Sequence, residues 1–157
     1  AVGVVRRDPM AMLPFIGYNA GDYVGHWLEI GKQADAAKLP KIYQVNWFRR
    51  DNEDGSFLWP GFGDNARVLK WIIERLDGTA EGVETPVGVV PKAEAIDRTG
   101  LDMTLEQVEK ALTVDAAEWT QEVALIGEWL DKFGDDLPSQ MRDEYNTLKA
   151  NLEGATA

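Results

Sequence analysis

Residues 40–65 read PKIYQVNWFRRDNEDGSFLWPGFGDN and combine three structural signals in one short stretch. Residues 42–48, which follow a proline, are rich in β-branched and aromatic residues and predict a mostly buried strand. The polar residues 52–55 end in glycine and are typical of a hairpin turn. Proline and glycines at 60–63 then indicate a tight bend before a helix that opens at Asp64. The stretch therefore predicts a fold that mixes strands and helices.

Upstream of this stretch, the sequence predicts one more strand and one helix. Residues 2–5 are short, apolar and rich in valine, and a turn signal with a proline follows them. Asn19 can cap a helix whose apolar residues recur at intervals of four and three. These residues are Tyr23, Trp27 and Ile30. Glycines at 21 and 25 are expected to weaken this helix.

Downstream, the helix that opens at Asp64 has one apolar face and ends before Gly78, which suits a left-handed C-terminal cap. The face consists of Val68, Trp71, Ile72 and Leu76. Residues 79–103 are rich in glycine and proline, so they predict an irregular connection with one short strand at 87–90.

The remaining region, residues 104–153, predicts three helices. Thr104 and Gln107 match a capping box, and Asp115 begins the second helix in a similar way. A turn containing Gly134 separates two apolar stripes, which predicts an antiparallel helical hairpin. The stripes are Trp119, Val123, Ile126, Leu130 and Phe133, and then Met141, Tyr145, Leu148 and Leu152. We therefore predict an α+β fold, with a few strands followed by a helical C-terminal half.

The composition argues against several classes of function. The 157 residues carry 16 Lys and Arg against 27 Asp and Glu, and the net charge of −11 makes nucleic acid an unexpected partner. The absence of cysteine excludes disulfides, thiolate metal sites and a cysteine nucleophile. A single histidine, His26, excludes a multi-histidine metal site and is expected to be structural. No apolar run approaches the roughly 18 residues of a membrane span, so we expect a cytoplasmic protein without a membrane partner.

Residues 46–65 hold an unusual number of aromatic side chains for a loop. They are Trp47, Phe48, Phe57, Trp59 and Phe62. Rings fixed on a turn could stack on a planar base, and Asn65 near the helix start could bind the base edge. The alternative is an aromatic mini-core under a β-turn, and the pattern alone leaves both open. The arginine pairs 6–7 and 49–50 could reach phosphates but are more typical of solvated surface.

Residues 40–48 followed by 57–65 closely resemble the C-terminal region of GTP-dependent phosphoenolpyruvate carboxykinases. Residues 7–12, 14–21 and 83–91 are also similar to that family. The resemblance extends over essentially the whole chain. It implies that residues 1–157 are the C-terminal part of the family's nucleotide-binding domain, starting just after the mobile lid of the active site. Within it, 46–65 is the guanine-binding segment and 104–153 the helical region.

The resemblance implies an enzyme, a lyase that decarboxylates oxaloacetate and transfers a phosphoryl group from GTP. The products are phosphoenolpyruvate, GDP and carbon dioxide, and the reaction serves gluconeogenesis. By the same resemblance, Phe48 and Phe62 stack on the guanine, Phe57 lies at its edge, and Asn65 contacts the base. Gly63 and Asp64 complete the stretch that lines the nucleotide site, although several members carry Glu in place of Asp64.

The family's remaining functional groups have no match in these residues. They are a phosphate-binding loop, the manganese ligands and the arginines that bind oxaloacetate. No catalytic residue or metal ligand is therefore assigned here. Manganese, and the magnesium that accompanies the nucleotide, are expected on the upstream part of the same enzyme chain, which is also the expected partner. The resemblance implies a monomeric enzyme, and these residues alone are expected to be inactive. The alternative is a noncatalytic nucleotide-binding or helical interaction module on the same scaffold.

Overall fold

The computed structural model describes residues 7, 8 and 11–156, so the predicted strand at 2–5 lies outside the described residues. The helices are α1 (Ala20–Gln33), α2 (Asn65–Leu76), α3 (Leu105–Leu112), α4 (Ala116–Leu130) and α5 (Ser139–Thr156). The strands are β1 (Gly82–Thr85) and β2 (Gly88–Pro91). Short 3-10 turns occupy Leu13–Phe15, Ala36–Lys38, Ala93–Ala95 and Asp131–Asp136. The predicted α+β class is confirmed. The chain forms two compact units, one of residues 42–114 and one of the described residues of 1–41 and 115–157.

The core of the 42–114 unit is built around two tryptophans. Its buried members are Trp59, Trp71, Ala93, Ile96 and Val108. From α2, Val68 and Ile72 pack beside the buried Trp71, as predicted, but Leu76 is exposed. The core contacts of α2 end with Ile72, one turn earlier, so the prediction for Leu76 is wrong. Gly78 has a φ of +75°, which confirms the predicted left-handed cap.

A two-stranded antiparallel hairpin follows α2. Gly82 in β1 lies opposite Pro91 in β2, and Thr85 lies opposite Gly88. The sequence predicts only one short strand here, at 87–90. The structure shifts that strand by one residue and pairs it with β1, which the sequence signal missed because Gly82 and Glu84 are uncommon in strands. The indole Nε1 of Trp71 donates to the carbonyl of Glu81 (3.3 Å), so α2 and the hairpin share the buried ring.

The predicted strand at 42–48 is wrong. These residues have no regular secondary structure up to 46 and form a turn at 47–48. A strand needs a neighbour for its backbone N–H and C=O groups, and the one sheet of the described residues consists of β1 and β2 alone. Tyr43 and Trp47 nevertheless pack on the core. The apolar pattern of 42–48 therefore indicates side-chain burial but not backbone pairing with another strand.

The second unit contains α1 and the helical hairpin of α4 and α5. Asn19 caps α1 as predicted, accepting from the backbone N–H of Gly21 (2.7 Å). Asp115 caps α4, and Arg142 near the start of α5 pairs with Asp131 after α4 (2.9 Å), which fits the predicted antiparallel hairpin.

The end of α4 differs from the predicted stripe. The helix stops at Leu130, so Phe133 lies in the following 3-10 turn and stacks edge-on against Trp129, with ring centroids 4.8 Å apart. Gly134 has a φ of +55°, and the helical path breaks there. No helix of the described part of the chain is long and apolar enough to cross a membrane.

Candidate functional site

The predicted turn at 52–55 is confirmed. Arg50 and Phe57 form an isolated antiparallel bridge, and the N–H of Asp51 donates to the carbonyl of Ser56 (2.8 Å). A short hairpin therefore carries the polar turn at its tip. We refer to residues 48–58 as the aromatic turn.

The aromatic side chains of this region divide into two groups. Trp59 is buried, and Trp47 packs against the same core. The three phenylalanines lie in solvent: Phe48 is 74% exposed, Phe57 52% and Phe62 97%. The mini-core alternative therefore accounts for the two tryptophans but not for the phenylalanines. Exposed apolar rings that lie together form a patch of the kind that is typical of binding surfaces.

The structure brings Phe48 and Phe57 together. Their ring centroids lie 6.3 Å apart with the planes inclined by 63°, an edge-to-face pair. The guanidinium of Arg50 lies 4.0 Å from the centroid of the Phe57 ring and donates to the carbonyl of Gly55 (2.6 Å). One face of Phe57 is therefore occupied by a cation, which leaves its edge and opposite face for another ring.

The start of α2 lies shortly after the aromatic turn in the sequence. Phe62, Gly63 and Asp64 form the turn that leads into the helix, and the first two are exposed. The Asp64 side chain makes no capping bond; it accepts from Nε of Arg67 (2.8 Å). Arg67 also donates to the carbonyl of Asp97 (2.7 Å). This ion pair fixes the carboxylate beside the helix start.

Asn65 is the first residue of α2, and its amide is oriented by the core. The indole Nε1 of Trp59 donates to Oδ1 of Asn65 (2.9 Å). This bond takes one of the two acceptor positions of Oδ1 and orients the amide, whose Nδ2 is a donor that can bind an acceptor on a base. Sequence reasoning identified Asn65 but missed the role of Trp59.

The arginines at 49 and 50 are both engaged within the chain. Nη1 of Arg49 donates to the carbonyls of Ala111 (3.1 Å) and Thr113 (2.5 Å) at the end of α3. Arg50 covers Phe57, as described above. Arg7 pairs with Glu122 (3.3 Å), and Arg6 lies outside the described residues. Arg7, Arg49 and Arg50 are therefore each held by contacts within the chain.

A second cation reaches the aromatic turn from α3. Nζ of Lys110 lies 2.6 Å from Oδ2 of Asp51. The hydrogen bond from Lys110, with a second from the Glu53 N–H, lowers the pKa of Asp51 below its ordinary value. The same bond raises the pKa of Lys110. Nothing in the local pattern links residues 59 positions apart, so sequence reasoning missed this contact.

Comparison with known proteins identifies the family. Residues 1–151 match the family model described as the phosphoenolpyruvate carboxykinase C-terminal P-loop domain. A phosphoenolpyruvate carboxykinase (GTP) from Paenarthrobacter aurescens (strain TC1) is 61% identical over 152 residues, which cover 97% of this chain and 25% of that protein. The proteins of the same name from Corynebacterium jeikeium (strain K411) and Treponema pallidum (strain Nichols) are 52% and 50% identical, again over 25% of their lengths. The comparisons cover 99% and 98% of this chain.

The chain therefore belongs to the GTP-dependent phosphoenolpyruvate carboxykinase family, and the resemblance carried by residues 40–48 and 57–65 is confirmed. It spans about a quarter of the length of these relatives.

Proposed function

We propose that this chain is the guanine-nucleotide-binding portion of a phosphoenolpyruvate carboxykinase (GTP). The whole enzyme converts oxaloacetate and GTP to phosphoenolpyruvate, GDP and carbon dioxide in gluconeogenesis. Two findings support the proposal: the relatives carry that name, and the chain matches them over nearly all of its length. The observation that carries it is the exposure of three phenylalanine rings, two on the aromatic turn and one in the turn that leads into α2.

The proposed site consists of the exposed rings and the helix start that follows them. Its members are Phe48, Phe57, Phe62, Gly63, Asp64 and Asn65. Phe48 and Phe62 stack on the two faces of the guanine, and Phe57 lies at the base edge. Stacking contributes about 1–3 kcal/mol per base and accepts any purine, so Asn65 and nearby backbone groups supply the preference for guanine.

The described residues do not fit a metal centre, since none of their His, Asp and Glu side chains form a group of three that could hold an ion. We place the manganese, and the magnesium that arrives with the nucleotide, on the rest of the longer enzyme. That part also binds oxaloacetate and the nucleotide phosphates. The net charge of −11 fits this division, because a segment that met only the base needs no positive surface. We further propose a cytoplasmic, monomeric enzyme.

The test uses a carboxykinase of full family length that contains this sequence. GTP, GDP and ADP are titrated against Phe48→Ala and Phe62→Ala, with Phe15→Ala as the control. Phe15 is 88% exposed and lies outside the aromatic turn. Loss of either stacking ring is expected to weaken GTP and GDP binding alike by about 5- to 150-fold, with oxaloacetate affinity unchanged. Wild-type nucleotide affinity in both variants would favour the alternative, a noncatalytic module on the same scaffold.

A further inference from the structure

The aromatic turn is fastened to the end of α3 by two cations. Arg49, at the start of the turn, donates to two carbonyls at the C-terminal end of α3. Lys110, in the last turn of α3, reaches back to Asp51 at 2.6 Å. These contacts join a surface loop to a helix whose Val108 is fully buried in the core.

Asp51 links Lys110 to the backbone of the aromatic turn. Its Oδ1 accepts from the N–H of Glu53 (2.9 Å), while Oδ2 meets Lys110. Its backbone N–H donates to Ser56, next to the bridge between Arg50 and Phe57. The carboxylate is mostly shielded, with 15% of its side chain exposed. A movement of Asp51 would therefore move the strand pair that presents the phenylalanine rings.

Lys110 faces a cluster of acidic side chains at the tip of the aromatic turn. The polar tip reads Asp51, Asn52, Glu53 and Asp54, which places three carboxylates and no cation in four residues. Lys110 interacts electrostatically with all three of these acidic side chains. Without it the carboxylates repel one another, and an open turn relieves that repulsion.

The exposed rings of the aromatic turn contact each other and a neighbouring cation. Phe48 and Phe57 touch each other, and Arg50 covers one face of Phe57. All three side chains belong to the aromatic turn itself. Their position relative to the core is therefore set by the backbone of the turn, which the core residues Trp47 and Trp59 flank and which Arg49 and Lys110 join to α3.

We propose that Lys110 is a positioning residue for the nucleotide base. Through Asp51, it holds the aromatic turn in the conformation in which Phe48 and Phe57 meet the guanine. This inference rests on the proposed function of the site. In this role Lys110 acts through Asp51 on the fraction of molecules in which the rings are correctly placed.

The experiment compares Lys110→Met with Lys92→Met in the full-length enzyme. Lys92 pairs with Glu81 at 2.7 Å, and both lysine side chains are 48% exposed, so the variants remove equivalent surface charges. We expect Lys110→Met to weaken GDP and GTP binding by about two- to fivefold, which is the range an exposed ion pair provides. Lys92→Met is expected to bind both nucleotides as the wild type does. The KM for oxaloacetate is expected to stay unchanged in both.

Two further variants separate positioning from simple loss of charge. Lys110→Arg keeps a cation opposite Asp51 and is expected to restore most of the affinity. Asp51→Asn keeps the Oδ1 acceptor for Glu53, so adding it to Lys110→Met is expected to cost no further affinity, because both changes remove one interaction. Equal nucleotide affinity in the Lys110→Met and Lys92→Met enzymes would overturn the inference, as would additive losses in the double variant.

Phe57→Ala distinguishes the failure of this inference from failure of the proposed function. If Phe57→Ala weakens nucleotide binding and Lys110→Met does not, only the positioning role is wrong. If neither Phe57→Ala nor Phe48→Ala changes nucleotide affinity, the base site and the positioning role are both overturned.

Discussion

At the scale of single residues, the orientation of Asn65 has a consequence for base preference. The Trp59 indole donates to Oδ1 of Asn65 and orients the amide, and Nδ2 is the donor that this side chain offers to a ligand. Guanine carries the acceptor O6 where adenine carries the donor N6. A donor at this position can therefore bind O6 of guanine but cannot bind N6 of adenine, which is itself a donor.

Asn65→Asp tests this assignment with almost no change in shape. The new carboxylate still accepts from Trp59 but offers an acceptor in place of Nδ2. The ratio of ADP to GDP dissociation constants is expected to fall by about two- to tenfold, the value of one hydrogen bond. The ratio cancels any general repulsion between the new charge and the phosphates.

Asn46→Asp is the matched control for this variant. It adds the same charge within the segment and keeps the acceptor for the N–H of Phe48 (3.0 Å). Its ratio of ADP to GDP dissociation constants is expected to equal that of the wild type. An unchanged ratio in Asn65→Asp would assign the guanine preference to backbone groups instead.

At the scale of elements, the link between the aromatic turn and α3 depends on pH in a defined direction. The pKa of Asp51 is lowered by the hydrogen bond from Lys110, so its contribution to stability is present above the ordinary carboxyl pKa of 3.8 and lost as the pH falls. The pKa of Lys110 is raised above 10.5 by the same bond, so that contribution is present below 10.5 and lost at higher pH.

The difference in unfolding free energy between the wild type and Lys110→Met follows from these signs. It is expected to be constant near neutral pH and to shrink as the pH falls below about 4, where Asp51 becomes protonated. Denaturant unfolding at a series of pH values measures this difference. A difference that grows on acidification would show that the pair does not stabilise the folded chain.

Helix α1 provides a matched pair of glycines. A Cβ on Gly21 would meet the backbone of Asp136, with the carbonyl carbon at 2.8 Å, whereas nothing lies within 4 Å of a Cβ on Gly31. Gly31→Ala is therefore expected to stabilise the protein by about 0.5–1 kcal/mol through helix propensity. Gly21→Ala is expected to destabilise it by about 1–3 kcal/mol, because a backbone carbonyl must move.

Denaturant unfolding of the two glycine variants measures both effects. Equal stability changes of the same sign would contradict the close approach between α1 and the 3-10 turn at Asp131–Asp136.

These elements also show what a single sequence can predict. The caps at Asn19, Thr104 and Asp115 are local signals, and each is confirmed. The strand at 42–48 fails because pairing depends on distant backbone. Gly21, predicted only to weaken α1, is buried against a residue 115 positions away.

In the candidate site, too, local features could be predicted from the sequence and long-range contacts could not. The turn at 52–55 and the helix start after Asp64 follow from local sequence, and both are confirmed. The exposure of the phenylalanines and the burial of Trp59 depend on how the 42–114 unit packs. The contact of Lys110 with Asp51 joins residues far apart in the chain, so pattern alone could not supply it.

At the scale of the whole molecule, the described residues expose several large apolar side chains outside the candidate site. Besides the phenylalanines, the exposed large residues of the 42–114 unit include Ile42 and a stripe on α2. The stripe consists of Leu69, Ile73 and Leu76, one residue per turn. Contiguous exposed apolar surface favours association in solution. The relatives are about four times as long as this chain, so most of their length has no counterpart in it.

The 157 residues alone are expected to show no carboxykinase turnover. They contain no glycine-rich phosphate loop and only one histidine, and the described residues hold no group that could bind a metal ion. Phosphoryl transfer needs both a site for the phosphates and a bound metal ion. The purified chain is assayed for turnover with oxaloacetate, GTP and manganese. A full-length enzyme carrying the same sequence is the positive control. Turnover by the chain, with mass spectrometry excluding any longer polypeptide, would contradict the proposal that the phosphates and metal are bound by another part of the enzyme.

The same purified chain is expected to associate in solution, because its exposed apolar surface favours association, and light scattering measures this. A monodisperse, cooperatively melting chain would contradict the role assigned to its exposed apolar residues.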